Sequence, residues 1–146
     1  MILEKTRSLS NDDIFRTVEL IIEGIKAYVG SSLLKHSKTK SMSNKLNNFI
    51  ISRVDEDAQS CIQGFLMYRV EREYCILYEI HVAKDKRSCG IGSKLMEELF
   101  RDQKGKLLIL FVHKRNARAQ KFYLSKGFQF HDIQANERCY EMFKQN

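Results

Sequence analysis

The chain has 146 residues, enough for one domain with a single core and too few for two. Hydrophobic residues make up 43% and charged residues 29%, a soluble globular balance; no apolar run approaches the roughly 20 residues of a membrane span, and "MILEKTRSLSNDD" carries no signal-peptide core. A formal charge of +7 favours anionic partners: nucleic acid, a membrane surface or a polyphosphate cofactor.

Residues 2–7 read as a short first strand. "SNDDIFRTVELIIEGIKAYV" then offers Ser10 or Asn11 as a cap, acids in the first turn, and Ile14, Val18, Ile21, Ile25 and Tyr28 at helical spacing, with Gly30 as the stop. "SSLLKHSKTKSMSNKL" is basic and weakly hydrophobic, a second short helix or a loop. "NFIISRV", "IQGFLMYRV" and "YCILYEIHV" are rich in aromatic and β-branched residues and read as three strands joined by hairpins. From Gly90 the period turns helical through Ile91, Leu95 and Leu99 until Gly105. "KLLILFV" is a near-continuous apolar strand of the kind buried on both faces. "NARAQKFYLSKG" is a helix capped by Asn116, with Ala119, Phe122 and Tyr123 inward and Gly127 as its end. "FQFHDI" and "RCYEMF" close the chain as strands. The expected fold is α/β: one domain over 1–146, a mixed sheet with helices on both faces.

Seven glycines are present in all, and "KRSCGIGSKL" places two of them, Gly90 and Gly92, between a strand and a helix. A helix start offers unpaired N–H groups and partial positive charge, a site for phosphate oxygens. Lys86, Arg87 and Lys94 add charge there. A dinucleotide fingerprint would need a third glycine where Leu95 stands, and a Walker loop is absent. An ordinary tight turn is the alternative reading.

Arg87-x-x-Gly90-x-Gly92 resembles the acetyl-CoA signature of the GCN5-related N-acetyltransferase (GNAT) superfamily. "LYEIHV" before it, "LFVHKRN" after it and "NARAQKFYLSKGF" beyond match the superfamily's neighbouring blocks, over residues 76–130. The resemblance implies a central, mostly antiparallel sheet with a V-shaped split at the acetyl-CoA site. It implies that backbone at His81, Val82 and Ala83 meets the pantetheine. Arg87, Ser88, Cys89, Gly90, Ile91, Gly92 and Ser93 would wrap the pyrophosphate. Asn116 would touch the cofactor as well as cap its helix. Tyr123, otherwise a core aromatic, would protonate the leaving thiolate. No metal is expected.

The chemistry is attack of a neutral amine on a thioester. Near pH 7 a lysine amine is neutral in only about one part in two thousand, while an α-amine has roughly one neutral molecule for six charged. Either needs a base within reach. Glu79 stands in an otherwise apolar strand, where burial would raise its pKa towards a useful value; a strand-edge ion pair is the alternative. His81, two residues on and on the same face, is the reserve base. The other histidines read as surface or packing residues.

"LYEIHV" is similar to a stretch of NatD-type N-terminal acetyltransferases, which modify histone amino termini. That likeness implies Glu79 as base and substrate contacts from Tyr28, Glu71, Tyr78 and Phe111, with Tyr140 of "RCYEMF" closing over the peptide. Three features depart from that pattern. Arg69 stands where a first acid is expected, Phe111 replaces a polar residue, and there is no tryptophan. The implied acceptor is a Ser-Gly N-terminus of histone type; another protein terminus, a lysine or a small amine is the alternative, and a non-catalytic basic binding module is the rival outside enzymes. Lys35, Lys38, Lys40 and Lys45 form a basic run, a solvated face or a weak contact for nucleic acid. Cys61, Cys75, Cys89 and Cys139 lie far apart without a C-x-x-C pair, as reduced thiols would. A cytoplasmic or nuclear monomer, off the membrane, is the expected setting.

Overall fold

The computed structural model describes residues 2–25, 38–54, 61–131 and 136–146. The elements are β1 (Ile2–Thr6), α1 (Asn11–Ile25), β2 (Asn48–Arg53), β3 (Ile62–Val70), β4 (Tyr74–Val82), a 3-10 turn (Lys84–Lys86), α2 (Ile91–Asp102), β5 (Leu107–His113), α3 (Ala117–Ser125), β6 (Gln129–Phe130) and β7 (Cys139–Gln145). Residues 38–42 are also helical. The seven strands form one sheet in the order β1-β2-β3-β4-β5-β7-β6. Among the described strands only β4 and β5 are parallel neighbours. This is the order of elements expected from the pattern, with β6 cut to two paired residues. The expected helix end at Gly30 lies outside the described residues.

Helix α1 starts where its cap chemistry dictates: Ser10 Oγ accepts from the Asp13 amide at 3.1 Å, satisfying one orphan donor of the first turn. Asp13 also receives a two-pronged bond from Arg53 on β2, at 3.0 and 2.8 Å. The same guanidinium donates through Nε to Glu4 on β1 at 2.8 Å. One arginine thus fastens α1 to two strands. The helix buries Val18, Leu20 and Ile21 against Phe49, Ile51, Phe65 and Met67 on one face of the sheet. On the other face α2 and α3 bury Leu95, Met96, Leu99 and Tyr123 against Leu66, Leu77, Leu108 and Leu110.

The expectation that β5 is buried on both faces is corrected. Leu108, Leu110 and Val112 are buried, but Phe111 between them is 48% exposed. Helix α1 packs over β3 and β4, and on that side of β5 the Phe111 ring stays open while Leu107 and Ile109 are half-buried, so a continuous apolar run does not require full burial on both faces.

Strand β4 carries the feature on which the site depends. Met67 pairs with Glu79 and Tyr68 with Leu77, so Tyr78 is an extra residue, a β-bulge. Before it Cys75 and Leu77 enter the α2 side; after it Ile80 and Val82 do. Alternation therefore slips by one, and Glu79 and His81 turn to the α1 side beside Met67 and Phe65. The pairing of β4 with β5 ends at the same place, with Leu77 opposite Leu110. Beyond it the two strands run on without pairing to each other.

Helix α1 meets this stretch at Gly24. A Cβ there would lie 2.6 Å from His81 Nδ1, so a glycine inside a helix, at a cost of about 1 kcal/mol against alanine, makes room for an imidazole.

Two outcomes follow for this framework. The Arg53 hydrogen bond, set against burial, holds the Asp13 carboxyl below its ordinary value. Its contribution to stability is thus complete above the ordinary carboxylate pKa and disappears as pH falls through the lower folded value. Asp13→Asn should cost about 2 kcal/mol at pH 7, with the gap from wild type closing in urea titrations at acid pH. Gly24→Ala should keep the helix, seen by circular dichroism, while shifting the His81 ring resonances, because the new methyl displaces the imidazole.

Candidate active site

The divergence of β4 and β5 opens a cavity of about 600 Å³. Its walls come from the bulged end of β4 (Tyr78 to Val82), the end of β5 (Phe111 to His113), the turn into α2 (Lys86 to Ser88 and Gly90 to Ser93) and the first turns of α3. Gly24 and Lys38 close it on the α1 side.

Glu79 and His81 form its polar centre. His81 Nε2 lies 2.7 Å from Glu79 Oε2. The imidazole is held between Gly24 and the ring of Phe65, whose centroid is 5.8 Å away. The other carboxylate oxygen, Oε1, accepts from the Lys38 ammonium. Burial pushes the Glu79 carboxyl up, but the hydrogen bond and charge of His81, joined by Lys38, outweigh it and hold the group below its ordinary value. The expected upward shift is therefore corrected: two donors on one buried carboxylate reverse the effect of desolvation. Lys38 likewise leaves the expected solvated run, while Lys40 and Lys45 remain exposed; Lys35 lies outside the described residues.

The turn into α2 is shaped for close approach. Ser88 has φ of 63° and Gly90 of 81°, two left-handed residues in three, and α2 starts directly after Gly90, so the amides of its first turn have no partner within the helix. Nothing lies within 4 Å of where a Gly90 Cβ would stand. At Gly92 an added Cβ would make ordinary contact with Phe122, at 3.6 Å. Arg87 donates through Nε to the Val82 carbonyl at 3.1 Å, pinning the turn to β4. With Lys86 and Arg118 also on the wall, the open amides and the cations suit a diphosphate.

Other sequence-derived residues fall into place unevenly. His81, Val82, Arg87, Ser88, Gly90, Ile91, Gly92 and Ser93 line the cavity, as do Tyr78, Phe111, Asn116 and Tyr123. Asn116 caps α3, its Oδ1 accepting from the Ala119 amide at 3.1 Å. Tyr123 is 8% exposed and packs edge-on to Phe122 and Phe128, so packing and cavity lining coexist. Four positions stand apart. Ala83 is buried in the α1-side core with its amide bonded to Gln63. Cys89 is exposed and is not on the described cavity wall. Glu71 sits in the β3–β4 turn, at the end of β4 remote from the cavity. Tyr140 is not on the described cavity wall: it pairs with Val112, packs on Phe130 at 5.4 Å and lies under the Lys114 ammonium. Tyr28 lies outside the described residues. His113, read as a surface or packing residue, is in fact on the wall. Gly24 and Lys38 were missed; a glycine within an amphipathic helix was the available signal for the first, and a lysine within a basic run gave none for the second.

Comparison with known proteins matches this geometry. An acetyltransferase (GNAT) domain model matches residues 47–130, more than half of the chain. The 5-NmdU N-acetyltransferase of Pseudomonas phage PaMx11 is 36% identical over 69 residues, 46% of this chain and 49% of that protein. The chain thus spans about half the length of the curated relative it matches. PaiA N-acetyltransferase from Thermoplasma acidophilum, solved with coenzyme A, superposes with a TM-score of 0.74 at 18% identity over 100% of both chains. An aminoglycoside 6'-N-acetyltransferase, also solved with coenzyme A, gives 0.75 at 15% identity over 99% of this chain and 96% of that one. The ribosomal-protein-S18-alanine N-acetyltransferase of Escherichia coli gives 0.66 at 21%, over 97% and 91%. The split sheet is the GNAT fold, and this chain belongs to the GNAT acetyltransferase domain family.

Proposed function

We propose that the chain moves the acetyl group of acetyl-CoA to a primary amine, with Glu79 and His81 as the deprotonating pair. The observation that carries this reading is that one cavity joins a buried carboxylate–imidazole pair, 2.7 Å apart, to the open amide turn at Gly90. The amides of that turn, with Lys86, Arg87 and Arg118, would hold the diphosphate of the donor. The donor supplies an activated acyl group; the protein supplies orientation and a place for the proton. Tyr123 is the reserve acid for the thiolate from its place on the wall.

A carboxylate held below its ordinary pKa is a weak base, which favours an amine that gives up its proton readily. An α-amine at a protein N-terminus, of the Ser-Gly type that the NatD-like stretch implies, meets this demand better than a lysine. The contacts expected of Glu71 and Tyr140 do not support the histone peptide, whereas Tyr78 and Phe111 do stand at the cavity. A second reading has its own support. Tyr78 is 42% and Phe111 48% exposed, two aromatic rings on the cavity wall that a nucleobase could stack on, the chain is basic, and the phage relative is named for 5-NmdU. An amine carried on a nucleoside fits these features.

A coenzyme A release assay separates the readings. Ser-Gly-Arg-Gly peptide, an N-terminally blocked lysine peptide and 5-NmdU are offered in turn; the preferred amine gives the highest kcat/KM, and coenzyme A binding with no release from any amine would leave a binding module. Glu79→Gln should lower kcat about a hundredfold or more with coenzyme A affinity kept; full activity would move the base elsewhere. Gly92→Ala should leave melting temperature unchanged, since its methyl meets only ordinary contacts, yet weaken coenzyme A binding in calorimetry if the diphosphate rests on that amide.

A further inference from the structure

The described residues place an amine of the protein itself against the buried carboxylate inside the cavity. Lys38 Nζ donates to Glu79 Oε1, the oxygen of the buried carboxylate that His81 leaves open. An incoming acceptor would bring its own ammonium to that oxygen. Lys38 therefore occupies the position of a substrate amine, in the same cavity as the turn assigned to the donor.

We propose that Lys38 is an intramolecular acetyl acceptor, modified once per chain by the site it lines. The inference rests on acetyl-CoA being the donor. The Lys38 ammonium passes one proton to the Glu79–His81 pair, and its freed lone pair attacks the carbonyl carbon of the thioester. The N–C bond forms, the C–S bond breaks, and the coenzyme A thiolate takes the second proton from nitrogen. The products are N-acetyl-lysine, free coenzyme A and the proton left on the pair. A lysine is a harder acceptor than an α-amine, but fixed placement substitutes for concentration by factors of about 10⁵ or more, and a single event needs no turnover. Acetylation removes the positive charge from Nζ, so Glu79 Oε1 loses its ionic partner and becomes open to an external amine.

The test is to incubate the full chain with acetyl-CoA and follow each lysine by peptide mass spectrometry, with thermal melting as an independent measure of donor binding. Lys38 should gain one acetyl group about tenfold or more faster than exposed Lys40 and Lys45, at a rate independent of protein concentration. Lys38→Arg, which keeps the charge opposite Glu79, should show no gain on that peptide, and Glu79→Gln should slow it about tenfold or more. Donor binding that raises the melting temperature while Lys38 stays unmodified, or gains acetyl no faster than Lys40, would overturn this inference and leave the donor assignment standing. A rate that rises with protein concentration would overturn it too. No thermal shift and no modification would remove both together.

Discussion

The site depends on one extra residue in one strand. Without the bulge at Tyr78, regular alternation would carry residues 79 and 81 to the side of Cys75 and Leu77, into an apolar core. A charged pair there would face only hydrocarbon, a position that buried carboxylates avoid. With the bulge they turn to α1, where Gly24 admits the imidazole and Lys38 meets the carboxylate. The same irregularity coincides with the end of β4–β5 pairing, so one backbone event both aims the polar residues and opens the space in front of them.

Electrostatics then reverses the simple expectation for a buried acid. Desolvation is the largest single influence on Glu79, yet two donors close to its oxygens together exceed it. The carboxylate is stable as an anion because each oxygen is engaged, one by His81 and one by Lys38. Its chemistry is then best described for a coupled pair rather than for one residue, with the imidazole fixed by Phe65 and by the missing side chain of residue 24.

Much of this architecture was legible in the residues. The strands β2, β3 and β4 and the two helices after Gly90 follow from local pattern and cap chemistry, because aromatic and β-branched runs, Asn116 and Gly127 act within a few residues of themselves. The glycine turn was legible for the same reason. What was hidden depends on neighbours distant in sequence. The bulge exists only as a mismatch between β3 and β4, and the exposure of Phe111 depends on which strands α1 packs over rather than on the run that contains it. The ion pair of Lys38 with Glu79 joins residues 41 apart, and nothing in a basic run marks Lys38 as a lysine that turns inward. Tyr140 is a further case: its motif is local, while its neighbours, Val112 across the strand pair and Phe130 on β6, are set by register.

The parting of β4 and β5 leaves a rim of main-chain donors and acceptors in the middle of the sheet rather than at its border. A border strand is open to any flat polypeptide that drifts alongside, which is how sheets come to stick together. Here the equivalent rim lies inside the sheet, on the wall of the cavity that the turn into α2 and the first turns of α3 help to enclose. The sheet thus keeps the adhesive property of an edge while denying it to other sheets.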